Sequence, residues 1–140
     1  MPHKNIVLFG LLLVCSELLH AQAPAAVKSA FQQQFNTARQ VRWTKEKNDF
    51  EASFVLNGKK LSAVYDAQGT WKASEEAQPL SMLPAPAKQY LAKNYPGSRV
   101  TETAKISLRD GHTEYEAEAA GYDIFFDSKG NFLRAEKDED

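Results

Sequence analysis

Cysteine and histidine are nearly missing from this 140-residue chain, which holds one Cys, Cys15, and three His. A single cysteine cannot build a disulfide framework. A structural zinc site needs several His or Cys ligands, and past residue 21 only His112 remains of these types. Nucleophilic catalysis needs an activated nucleophile with a base beside it, and no Cys–His or Ser–His motif stands out. Charge of one sign is missing too: 17 basic and 18 acidic residues give a net charge of −1. That balance argues against a nucleic-acid binder, which carries a basic excess or stripe, and against a polybasic membrane-surface protein. No apolar run approaches the ~20 residues needed to span a bilayer.

What is present begins with a leader. Lys4 precedes the apolar run 6–14, and His20-Ala21-Gln22-Ala23 places small residues where a signal peptidase cuts. Residues 1–21 therefore read as a cleaved secretory signal, leaving a periplasmic or secreted protein. Cleavage after Ala23 would put Pro24 next to the cut, so Ala21 is preferred. A lipid anchor on Cys15 is disfavoured, because a lipobox wants a small residue where Val14 stands. With the leader gone the chain has no cysteine, although its compartment permits disulfides.

The remaining sequence repeats itself. Pro24-Ala25-Ala26-Val27-Lys28 returns 60 residues later as Pro84-Ala85-Pro86-Ala87-Lys88. Phe31, Phe35 and Arg39 return at the same offset as Leu91, Tyr95 and Arg99. Phe50-Glu51-Ala52 matches Tyr115-Glu116-Ala117, and Tyr65-Asp66-Ala67-Gln68-Gly69-Thr70-Trp71 matches Phe126-Asp127-Ser128-Lys129-Gly130-Asn131-Phe132. An internal period of this length points to a duplicated supersecondary unit.

Each unit reads as a helix followed by about four antiparallel strands. Val27, Phe31 and Phe35, then Ala87, Leu91 and Tyr95, recur at helical spacing. Proline is tolerated at the first helical turn, and Tyr95-Pro96-Gly97 ends the second helix. Val41 and Trp43 alternate with Arg42 and Thr44, and Phe50, Ala52, Phe54 and Leu56 alternate with polar neighbours and Val55. Asn57-Gly58 is a tight-turn signal. The second unit predicts strands near 99–108, 113–119, 122–127 and 131–136. The expected organisation is a signal peptide over 1–21, a first repeat over 22–78 and a second over 79–140, the two forming one compact domain of α+β class. The charged tail 136–140 is expected to fray.

The combination of Phe50-Glu51-Ala52, Asn57-Gly58, Ala63-Val64-Tyr65-Asp66, Gly69-Thr70-Trp71, Leu83-Pro84, Tyr95-Pro96-Gly97 and Tyr115-Glu116-Ala117-Glu118 resembles the PepSY-like, beta-lactamase-inhibitor-like proteins, exported bacterial proteins frequent in Bacteroidetes. The resemblance covers almost the whole chain after the leader. It implies a beta-lactamase-inhibitor-protein-like fold, a tandem duplication of the helix-plus-four-stranded antiparallel sheet unit, and residence outside the cytoplasm. It implies no established activity. Asn36-Thr37 departs from the proline that often follows the helix aromatic in that family.

Chemistry is thin. His112, in Asp110-Gly111-His112-Thr113, reads as an exposed turn residue rather than a general base. The turns at 66–69 and 127–130 carry Asp and Gly, but not the alternating acidic run of a calcium loop; Asp caps its own turn and Gly supplies positive φ. Glu114, Glu116 and Glu118 share one face of a strand, either as an acidic patch for a basic partner or as a solvated face balanced by nearby cations. Residues 122–127 put apolar side chains on both faces, so Phe125 points away from Ile124 and Phe126. That second face is either a partner surface or is covered by the other unit or a dimer mate. The candidate partner-binding residues are therefore Trp43, Trp71, Tyr122, Phe125, Glu114, Glu116 and Glu118. No residue is put forward as catalytic or metal-ligating, and no cofactor is expected. The functional reading is a non-catalytic module binding another exported protein or enzyme. The alternative is an envelope sensor of a small molecule or metal, and an enzyme would require two facing carboxylates in a cleft.

Overall fold

A computed structural model describes residues 22–137, which divide into two units at Glu75/Glu76. The first unit runs α1 (Ala25–Gln34), β1 (Arg39–Glu46), β2 (Asp49–Leu56), β3 (Lys59–Asp66) and β4 (Trp71–Ala77). The second opens with a 3-10 turn, Leu80–Met82, and runs α2 (Ala85–Asn94), β5 (Val100–Leu108), β6 (Thr113–Ala119), β7 (Tyr122–Asp127) and β8 (Phe132–Lys137). The strands of each unit are neighbours in chain order, and β1–β2, β2–β3, β5–β6, β6–β7 and β7–β8 pair antiparallel. The α+β class and the expected strand spans hold to within a residue or two. The leader, Cys15 and the last three residues lie outside the described residues. Among the described residues no helix is long and apolar enough to cross a membrane.

Each helix has ten residues, too few to stand alone in water. Neither has a side-chain cap at its start; the Pro24 and Pro84 carbonyls accept the Lys28 and Lys88 amides at 3.0 and 3.2 Å instead. Tertiary burial is what stabilises them. On α1, Val27 and Phe31 are buried. The Phe31 ring meets Trp43 and Phe54 edge-on, with centroids 5.3 and 5.0 Å apart. Ala52, Ala63 and Tyr65 complete that core, and the Tyr65 hydroxyl donates to Gln34 Oε1 at 2.8 Å at the end of α1. On α2, Ala87 and Leu91 pack against Ala117, Ala119, Ile124 and Phe126. Tyr90 adds a stacked contact with Phe132, 4.6 Å between centroids.

The turn joining the last two strands of each unit is built alike. Asp66 Oδ1 accepts the Gln68 and Thr70 amides at 3.0 and 2.9 Å. Asp127 Oδ1 accepts those of Lys129 and Asn131 at 2.8 and 2.9 Å. The carboxylates are thus consumed by their own turns: the Asn131 side-chain amide, donating to Asp127 Oδ2 at 2.9 Å, and the Thr70 amide on Asp66 lead in holding both below the ordinary aspartate range.

The alternation in β1 is broken. Its register slips between Arg39 and Arg42, with Gln40 at φ 55°. Sequence alternation sets Val41 beside Trp43 on the helix side; the bulge leaves Val41 37 % exposed. An inserted residue re-aims its neighbours in this way.

Candidate functional site

In each unit the helix packs on one side of the strands. The other side, the far face, can be read row by row from the register. In the first unit Arg39, Val55 and Lys60 form one row, and Arg42, Ser53 and Ser62 the next. Thr44, Glu51 and Val64 follow, then Glu46, Asp49 and Asp66. This face is polarised, cationic at one end and acidic at the other. Arg39, Arg42 and Lys60 are exposed. At the acidic end Lys72 pairs with Asp49.

Glu51 is the unusual member, 6 % exposed. Burial pushes its carboxyl up to about 7; the neighbouring Ser62 hydroxyl works against that rise and the Glu46 charge adds to it. Its counterpart in the sequence repeat, Glu116, is 4 % exposed. Both motif glutamates therefore sit buried on the far face of a central strand, away from the helical core.

In the second unit one far-face row is acidic throughout: Glu102 opposes Glu118, Glu118 opposes Asp123, and Asp123 opposes Glu136. Like charges directly opposite one another repel, so this row needs donors. Thr101 Oγ1 donates to Glu118 Oε1 at 2.8 Å. Arg134 donates from Nε to Glu136 at 2.8 Å and from Nη1 to Glu114 at 3.0 Å. The same guanidinium lies over the Phe125 ring, 3.9 Å from its centroid.

Phe125 does face away from α2, as alternation requires, but it is 2 % exposed. Of the two readings of that face, open or covered, Phe125 follows the covered one, with Arg134 over its ring. Glu114, Glu116 and Glu118 share the far face, and Arg134 supplies a compensating cation at Glu114. Glu116 is nevertheless not solvated. Trp43 and Trp71 lie on the helix side of the first unit, packed against its core. The Trp71 indole N–H is used by Ser74 Oγ at 2.8 Å. Tyr122 is 40 % exposed and follows Ala119 on the helix side of the second unit. The seven candidate residues thus do not share one face. Sequence reading passed over Arg39, Arg42, Lys60, Glu102, Asp123 and Glu136, whose only signal was their register across strands.

His112 is fully exposed and its Nδ1 lies 3.0 Å from Asp110 Oδ2, which raises the imidazole above its usual range. No group of three or more His, Cys, Asp or Glu among the described residues is placed to hold a metal ion. Beside α2 a groove of about 400 Å³ is lined by Leu80, Leu91, Tyr95, Val100 and Ala119, with Lys88 on its wall.

A family described as "Putative beta-lactamase-inhibitor-like, PepSY-like" matches residues 49–134. No curated protein matches the chain. Among solved structures, a protein of Bacteroides eggerthii named as a "putative periplasmic" protein is similar at TM-score 0.75 and 21 % identity, covering 84 % of this chain and 90 % of that one. A DUF2874 family protein of Bacteroides uniformis is similar at TM-score 0.74 and 23 % identity, covering 83 % and 90 %. A BLIP-like protein of Bacteroides fragilis is similar at TM-score 0.68 and 17 % identity, covering 84 % and 88 %.

Proposed function

Since the chain belongs to the PepSY-like, beta-lactamase-inhibitor-like family, we propose that it is an exported, non-catalytic module that holds another exported protein against the far face of its strands. The observation that carries this reading is the far face itself. In the first unit it presents charged side chains in ordered rows over buried Glu51, Ser62 and Val64, and in the second over buried Glu116 and Phe125, charged rows of the sort that set register and specificity in protein recognition. The family, and a BLIP-like fold neighbour, support an inhibitor-like role. The leader-like start and a fold neighbour named as periplasmic support export. The repeated motifs and the shared element order of the units support an origin by tandem duplication.

The test is capture from the host's envelope extract, followed by rebinding of the captured protein in pure form. One partner that rebinds, is lost with Arg134→Glu and is kept with Tyr122→Ala supports far-face binding. Absence of any rebinding protein, or binding indifferent to far-face charge, overturns it.

A second reading, small-molecule binding, rests on the groove beside α2, whose apolar lining and single Lys88 suit an apolar carboxylate. A melting temperature unmoved by a panel of such acids would remove it.

A further inference from the structure

The two units carry opposite charge at the same place in the repeat. Arg42, Ser53 and Ser62 occupy in the first unit the positions that Glu102, Glu118 and Asp123 occupy in the second, at offsets of 60, 65 and 61 residues. In the first unit Arg39 and Lys60 flank that row. The β1 bulge makes this possible: Arg39 opposes Val55 and Arg42 opposes Ser53, so two arginines three apart come to one side of the strand. Among the described residues Arg39, Arg42 and Lys60 enter no ion pair, and all three are exposed. In the second unit the Glu102–Glu118–Asp123–Glu136 row sets four carboxylates in register across four strands, each half-exposed.

We infer that two copies of this chain associate through these surfaces, the Arg39–Arg42–Lys60 cluster of one copy seating on the carboxylate row of the other. The spacing suits it. Adjacent strands lie about 4.8 Å apart, so Arg39 and Lys60, two strands apart, stand roughly 10 Å apart at the backbone. The carboxylate row spans roughly 14 Å. Long, flexible arginine and lysine side chains cover that difference, and guanidinium groups pair with carboxylates in two-point fashion. A second copy is the fitting occupant because every chain carries both halves. In general, a contact made reciprocally about a two-fold axis is the arrangement that closes without further growth. This self-association does not depend on the identity of any other partner.

The test is sedimentation equilibrium of the purified protein, with the helical and strand signals of each variant checked by circular dichroism. A dimer is expected at about 50 mM salt, weakened about tenfold or more at about 500 mM, where the Debye length falls to a few ångströms. Arg42→Glu and Glu118→Lys, each alone, break both copies of the contact and are expected to leave monomers. Their equimolar mixture is expected to restore a heterodimer, since one contact is then reversed in sign and the other is native. Should either reversal disturb the fold, Arg42→Gln and Glu118→Gln replace it, with partial weakening expected. A monomer at every concentration, a dimer that ignores salt and reversal, or a mixture that stays monomeric overturns the inference. A reversal that alters only the melting temperature of a monomer also overturns it.

Discussion

Gly69 lies so close to Ala26 that a β-carbon on it would stand 2.7 Å from the Ala26 carbonyl oxygen. The turn between β3 and β4 presses against the first turn of α1. Gly130 does the same in the second unit, where a β-carbon would meet the Pro84 side chain at 2.7 Å and the Ala87 amide nitrogen at 2.9 Å. Both glycines also hold left-handed backbone, φ 86° and 88°. Gly58 shares that conformation, φ 79°, with nothing within 4 Å. Gly58→Ala is therefore expected to cost only the left-handed term, about 1 kcal/mol. Gly69→Ala and Gly130→Ala add overpacking and should cost about 2–4 kcal/mol. Urea denaturation of the three variants checks the ordering; equal costs would mean that the helix yields freely to the turn.

The hairpin at Ala120-Gly121 is the counterpart of Asn57-Gly58, and both residues of each turn have positive φ. Asparagine tolerates that conformation more readily than alanine. Ala120→Asn is expected to stabilise the protein by roughly 0.5–1 kcal/mol, and Asn57→Ala to destabilise it similarly. A rise in melting temperature for the first and a fall for the second is the expected pair of readings.

Arg134 serves two carboxylates and one ring at once. Arg134→Ala removes two charge-assisted hydrogen bonds and uncovers Phe125. Its side chain is 36 % exposed, so solvent screening trims the electrostatic share and the expected cost is about 1–2 kcal/mol. Arg134→Lys is expected to recover less than half, because an ammonium cannot serve both Glu114 and Glu136 while lying flat on the ring. Denaturant titration at low and high salt separates the contributions: the ring contact persists in salt, and the ion pairs fade.

Glu51 gives the fold a pH dependence of definite sign. Its folded-state value of about 7 exceeds the ordinary 4.5, so between those values the folded state holds the proton more tightly than the unfolded chain. Stability contributed by the protonated form is complete below about 4.5, declines as pH rises toward 7, and is lost above it. The span corresponds to something on the order of 3 kcal/mol. Burial is the main cause; the Ser62 hydroxyl opposes it, and the charge of Glu46, one row along the same face, adds to it. Glu51→Gln should flatten the profile between pH 5 and 7.5, measured by urea denaturation at fixed salt. An unchanged slope would place the proton elsewhere.

Much of the architecture was readable from residue order. Phe31 and Leu91 announced their helices by spacing, and Asp66 and Asp127 announced capped turns by the glycine three residues on. The far face was not readable, for a physical reason. Which side chains share a row depends on register, and register here is shifted by bulges at Gln40, between Val100 and Glu102, and in β8 opposite Phe125 and Phe126. Phe125 illustrates the limit. Alternation gave its direction correctly, but not its cover by Arg134, a cross-strand partner that no local pattern identifies.

The β1 bulge has a consequence for how this chain stays dispersed at high concentration. Among the described residues strand β1 has a neighbour on one side only, and a straight, unpaired strand is a template onto which foreign chains can zip. Gln40 twists this border out of line, and arginines stand on either side of it. A straightened β1, with Gln40 deleted, would offer an uninterrupted ladder and should seed amyloid-like fibres at concentrations where the natural chain stays clear.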